Sequence, residues 1–334
     1  MKLSAIFSDG AVFSAHRPIR VFGEGDGKGK VTFADKTKKF ACEDGRWCVE
    51  FDAMEYGGPY ELTLEADGDK QTVSDIYIGE VYLFSGQSNM AFHLGATNTD
   101  KKYYEENENL RLLTVFRTQN GECWKKAENG VFESFSALGY LVGNEISKKK
   151  NIKVGVIACA VGASVIESWM PEGTLEKIGI NIPAEEKHLD HTDPEYGVWN
   201  HDADLYKAML SKVIPYTLSG VVWYQGESDA KEAEALVYDR ELCALIEVWR
   251  EKFMDSRLPF TIVQIADTDE RIAQGPGWKL IQEAQKKAVE RTKNAYLVIS
   301  KDISERDDVH PKSKHGLAKR IEAVISEHYF KKEN

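Results

Sequence analysis

A chain of 334 residues, 42% hydrophobic and 29% charged, has the composition of an ordinary globular protein and the length of one large domain plus a smaller one. Lys and Arg total 43 against 54 Asp and Glu, and the formal charge of −11 argues against nucleic acid or an anionic membrane as the main partner, while leaving room for a small anionic ligand held by one local Arg or Lys. No run approaches the ~18 apolar residues of a membrane span, and the opening MKLSAIFSDGAVF is too soon interrupted to read as a signal peptide, so a cytoplasmic location is expected.

Residues 1–75 read as all-β. Short alternating runs at 19–22, 30–33, 47–51 and 60–64 are separated by Gly/Asp turns. Asp44-Gly45 and Asp67-Gly68 carry the dipeptide that favours tight hairpins, and a small β-sandwich domain is expected. Five cysteines (Cys42, Cys48, Cys123, Cys159 and Cys243) form no framework pattern and are expected to be reduced and mostly buried. A Cys42–Cys48 disulfide across the Asp44-Gly45 turn would require one particular register.

From residue 76 to 334 the rhythm changes to α/β, and this stretch is expected to form the catalytic domain. Strand-like runs at 75–84, 153–161, 220–224, 260–265 and 295–299 alternate with helical patterns at 135–149, 202–213, 233–253, 278–291 and 313–329. The expected form is a five-stranded parallel sheet covered by helices on both faces. Residues 171–201, rich in Pro, Gly, His and Asp, read as an irregular insertion able to border a site.

Ligands of open parallel sheets sit beyond the carboxyl ends of the strands. Four such ends carry reactive residue types: Gly86-Gln87-Ser88-Asn89-Met90, Gly162-Ala163-Ser164, Gln225-Gly226-Glu227-Ser228 and Asp307-Asp308-Val309-His310. Acyl transfer needs these types. Ser88, at a strand-to-helix turn, suits a nucleophile, and His310 suits its base. Asp307 can turn back onto the imidazole, with Asp308 as the alternative. The Ser88 and Gly162 N–H groups and the Gln225 side-chain amide are candidate oxyanion donors. Each piece alone has an ordinary structural explanation; their convergence on one crevice is the signal.

These blocks resemble the SGNH (GDSL-type) hydrolase superfamily, and within it the sialate O-acetylesterase-like carbohydrate esterases. The resemblance rests on Gly86-Gln87-Ser88-Asn89-Met90, on Trp223-Tyr224-Gln225-Gly226-Glu227-Ser228, on Asp308-Val309-His310-Pro311 and on Ile166-Glu167-Ser168-Trp169-Met170. It implies a three-layer α/β/α domain preceded by a β-domain, with a Ser88–His310–Asp307 triad. It also implies an oxyanion hole of Ser88, Gly162 and Gln225, no cofactor, and an O-acetylated sugar as substrate.

Gln87, Glu227 and Trp199 are candidate substrate contacts, although Glu227 also reads as a buried carboxylate ordering its loop. A sialic acid carboxylate would call for a cation near the crevice, such as Arg117 or Arg271. Competing readings are an acetylxylan esterase with the same triad, a sugar-binding module on a degenerate hydrolase scaffold, and a metal enzyme built on His188, Asp190, His191, Asp193, His201, Asp202 and Asp204. The last spacing matches no zinc or calcium motif, and no metal ligands are assigned.

Overall fold

The computed structural model describes residues 1–118, 121–187, 199–269, 271–273 and 275–330. Strands β1 (Lys2–Leu3), β2 (Val12–Ser14), β3 (Ile19–Glu24), β4 (Lys28–Phe33), β5 (Lys36–Ala41), β6 (Arg46–Phe51), β7 (Gly57–Ala66) and β8 (Asp69–Gly86) come first. They are followed by β9 (Asn107–Thr114), β10 (Lys125–Ala127), β11 (Val154–Ala160), β12 (Gly220–Tyr224), β13 (Phe260–Val263) and β14 (Ala295–Val298). The helices are α1 (Ser88–Ala91), α2 (Ala137–Lys150), α3 (Thr174–Lys177), α4 (Asp204–Ala208), α5 (Glu232–Ala235), α6 (Tyr238–Lys252), α7 (Trp278–Arg291) and α8 (Lys314–His328).

The β-rich start divides into two pairing groups. β1, β3 and β6 form an antiparallel three-stranded sheet, while β4 pairs with β5 and β7. Asp67 and Gly68 both take positive φ, the conformation a two-residue hairpin needs, and they join β7 to β8 as expected. At Asp44-Gly45 the outcome differs. The turn is closed only by a Glu43–Arg46 bridge, and the chain there leaves the β4–β5 pairing to join β3. Cys42 and Cys48 therefore do not face one another, and all five cysteines are free thiols. Only Cys159 is buried, fewer than expected.

β8 is one strand in two roles. Asp69–Ile78 pairs antiparallel with β7, and Glu80–Gly86 lies parallel between β11 and β12. The boundary expected between residues 75 and 76 thus falls inside a continuous strand. Buried contacts reinforce the join: Tyr216 Oη donates to the Val12 carbonyl at 2.6 Å, and Ser14 Oγ donates to the Thr217 carbonyl at 2.8 Å. These contacts lie at the amino ends of the parallel strands, so the carboxyl ends stay open.

The parallel strands run in the order β9-β11-β8-β12-β13-β14, with β10 antiparallel on the β9 edge. Among the described residues this row holds six parallel strands where the sequence pattern indicates five, and β2 pairs parallel with the first half of β8. β9 escapes detection because Arg111 interrupts its apolar run; the structure buries that side chain, with its guanidinium 5.7 Å from the Tyr77 ring and an ion pair to Asp75. Both faces of the sheet are covered. Adjacent residues of a strand point to opposite faces; Trp223 packs edge-on to Trp249 of α6, whereas the Tyr224 ring lies under Lys314 of α8. Helix α7 matches its expected span, and the 233–253 helix is broken into α5 and α6.

Candidate active site

Ser88 follows the end of β8, where the backbone turns tightly against β12. Gly86 has φ +133°, and a Cβ there would lie 2.1 Å from the Tyr224 carbonyl oxygen, so only glycine fits. The Gln87 N–H then reaches the same carbonyl at 3.0 Å, and Ser88 opens α1. That helix has only four residues, too few for a sizeable macrodipole, so the tight turn rather than a helix field sets the environment of Ser88.

His310 comes from the loop before α8. Its Nε2 lies 2.8 Å from Ser88 Oγ, and both residues are half-buried. Burial, then the Lys314 charge, lowers the imidazole pKa from its ordinary value, and Asp308 opposes the shift. A neutral imidazole able to accept a proton is the resulting form at neutral pH. Asp308 Oδ1 accepts the His310 backbone N–H at 2.8 Å. Asp307, the favoured partner from sequence, is exposed and makes no hydrogen bond or ion pair with a described residue. The charge felt by the imidazole is that of Asp308, which the chain folds inward, while Asp307 stays outside.

Gly162 belongs to the same small space. A Cβ built on it would sit 3.6 Å from Ser88 Cβ. Neither the Ser88 nor the Gly162 N–H donates to a described residue.

Gln225 departs from expectation. Its side chain is fully buried; Nε2 donates to the Ser164 carbonyl at 2.8 Å and to Asp229 Oδ2, while Oε1 accepts from Tyr238 Oη at 2.8 Å. With both amide hydrogens engaged in the core, no donor is left for an oxyanion. Asp229, buried near Glu234 and Glu241, has its carboxyl pushed well above the usual range. Gln87 is likewise internal: its Oε1 accepts the Gly226 and Ser228 N–H groups at 3.2 and 3.3 Å, tying the first strand-end loop to the third. Glu227 is 1% exposed and accepts from Asn89 Nδ2 at 2.7 Å. These three residues order loops and do not face a ligand. Trp199 is also buried, with the Arg117 guanidinium 4.2 Å from its ring centroid, and Trp169, Trp223 and Trp278 belong to the core.

Two positioning residues were not singled out from sequence. Asn89 Nδ2 donates both to Glu227 and to the Val309 carbonyl at 2.9 Å, which pins the His310 loop beside α1. Asn89 Oδ1 accepts from Lys314 Nζ at 2.6 Å, and burial pulls the Lys314 pKa down to about 8. Asn89 was visible as the residue after the serine; nothing in the pattern marks Lys314, a lysine hidden on a helix. Of the acids and imidazoles considered for a metal, His188, Asp190, His191 and Asp193 lie outside the described residues. His201 Nδ1 contacts Asp204 Oδ2 at 3.0 Å, and Asp202 Oδ2 accepts the Gly173 N–H. Among the described residues no group of three or more His, Cys, Asp or Glu is placed to hold a metal ion.

Fold and site together define an α/β protein carrying a hydroxyl–imidazole pair at the carboxyl edge of a parallel sheet. A family model described as carbohydrate esterase, sialic acid-specific acetylesterase, matches residues 78–324, and the chain belongs to that family. Similar curated proteins include the sialate O-acetylesterases of Pongo abelii, 29% identical, and Homo sapiens, 28% identical. Each alignment covers 88% of this chain and 62% of the relative, so the chain spans less than two thirds of their length. Among solved structures, a carbohydrate acetylesterase from Xanthomonas citri superposes with a TM-score of 0.84 at 26% identity, covering 98% of this chain and 75% of that one. A protein from Arabidopsis thaliana shares the fold at TM-score 0.52 and 18% identity, covering 75% of this chain and 97% of its own. Among the described residues no helix is long and apolar enough to cross a membrane.

Proposed function

We propose that this protein is a serine esterase that removes O-acetyl groups from a sugar, with O-acetylated sialic acid as the substrate its family membership favours. The carrying observation is the 2.8 Å contact between Ser88 Oγ and His310 Nε2 beside two N–H groups that donate to no described residue. Neutral His310 takes the proton as Ser88 Oγ attacks the acetyl carbonyl carbon. The resulting oxyanion accepts from the Ser88 and Gly162 N–H groups, replacing the three-donor set expected from sequence. The C–O bond to the sugar then breaks, and His310 returns the proton to the departing hydroxyl. Water, deprotonated by the same imidazole, releases acetate from the acetyl-Ser88 intermediate. Asp308 supports the imidazolium in place of Asp307. The region of residues 1–75 acts as a brace at the far end of the sheet.

Acetate release from O-acetylated sialic acids and from acetylated xylo-oligosaccharides tests this reading. Turnover of the former with the higher kcat/KM is expected. Turnover of xylo-oligosaccharides alone moves the substrate to plant sugars, and no release from either refutes the esterase.

A further inference from the structure

After β11 the chain makes a turn that is held from outside at several points. Val161 N–H donates to the Gly86 carbonyl at 3.1 Å, and the next residue, Gly162, lies beside Ser88. Ala163 follows with φ +55°, a left-handed conformation that a residue with a Cβ adopts rarely and keeps only where its surroundings enforce it.

The enforcing group is Asn200. Its side chain is fully buried; Nδ2 donates to the Ala163 carbonyl at 2.8 Å, and Oδ1 accepts the Val165 N–H at 3.1 Å. One amide thus spans residues 163 and 165 and closes the turn. Further along, Gln225 Nε2 donates to the Ser164 carbonyl, Trp169 Nε1 donates to Ser164 Oγ at 3.0 Å, and Asp229 accepts the Ile166 N–H at 3.1 Å. Those later bonds tie the loop to the core, whereas among the described residues only Asn200 bonds the Ala163 backbone. With the Val161 N–H fixed at one end and the Ala163 carbonyl at the other, few backbone torsions are left free between them, and they set the direction of the Gly162 N–H. Relaxation of Ala163 to an ordinary negative φ would rotate the peptide that joins it to Gly162, and in a reacting site a misplacement of ~1 Å can cost on the order of 100-fold in rate.

We infer that Asn200 is a positioning residue for acyl transfer: by holding Ala163 in the left-handed conformation it aims the Gly162 N–H at the oxyanion formed on Ser88. The inference rests on the esterase reading above and adds to it the residue that preorganises one of its donors. Asn200 bonds neither Ser88 nor His310 and takes no part in the bond changes.

The test measures kcat and KM on 4-nitrophenyl acetate for wild type, Asn200→Ala and Asn200→Ser, the last keeping a polar group too short to bond residues 163 and 165 together. Both variants should lose roughly 10–100-fold in kcat, with KM within about twofold, because an oxyanion donor acts on charge that develops only after binding. The pH at which kcat/KM rises should not move, since no charge near His310 is altered. Adding Ala163→Gly to Asn200→Ala should restore part of the lost kcat, because glycine holds positive φ without a clamp. A residue that only stabilised the core would lower melting temperature and give no such recovery. Wild-type kcat in either folded variant, a loss carried by KM, no recovery in the double variant, or failure of both single variants to fold overturns the inference and leaves the esterase standing. Absence of ester turnover by wild type overturns the esterase itself.

Discussion

The crevice has two halves that look alike in sequence and differ in what their polar atoms do. On the Ser88–Gly162–His310 side, one hydroxyl meets one imidazole, and two N–H groups have no partner among the described residues. On the Gln87–Gln225–Glu227 side the amides are bound into the core: Gln225 uses both amide hydrogens, and Gln87 bridges two loops. Buried polar groups seek protein partners, whereas a reacting site keeps donors open for charge that develops later. Under the proposed mechanism the conspicuous motif divides into atoms that react and atoms that hold the reacting ones in place.

The largest effect should come from the open half. Ser88→Ala is expected to lower kcat on an acetyl ester by ~10³-fold or more with an unchanged melting temperature, because the proposed nucleophile acts as a unit with its base. Near-wild-type turnover by folded variant would erase the distinction between the halves.

Next is the carboxylate. Asp308→Asn should reduce kcat/KM by more than Asp307→Asn does, since Asp308 both accepts the His310 backbone N–H and acts on the charge of the imidazole. The reverse ranking would restore Asp307.

In the closed half, Gln225→Ala removes partners from the Ser164 carbonyl, Asp229 and Tyr238. Stability should fall by roughly 1–3 kcal/mol, with activity declining alongside it as the loop loosens. A loss of ~10²-fold in kcat at unchanged melting temperature would instead return Gln225 to the oxyanion hole.

The smallest effect concerns pH. In the proposed mechanism the base is neutral His310, whose pKa is lowered, so kcat/KM should rise with pH through an apparent value below the ordinary ~6.5 and level off by neutrality. A limb above that value would show that the imidazole is not desolvated in this way.

Residue types and strand ends were legible in the sequence because period and glycine placement express backbone geometry directly. Ser88, Gly162 and His310 lie beyond three different strands, and convergence at the carboxyl edge followed from topology alone. What stayed hidden was the direction of side chains. An amide after a buried strand reads the same whether it faces the crevice or the core, and Gln225 turns inward because Asp229, Ser164 and Tyr238 await it there. The choice between Asp307 and Asp308 hangs on one residue of turn geometry. β9 was concealed by a buried arginine, and Asn89 and Lys314 form a buried network whose partners lie more than a hundred residues apart in the chain.

The central claim is that Ser88 is activated by His310, and covalent labelling with a small phosphonate ester reads this directly. Intact mass and peptide mapping should show one adduct per chain, on Ser88, forming far more slowly in His310→Ala. An adduct on another residue, or labelling of Ser88 at the same rate without His310, would contradict the account.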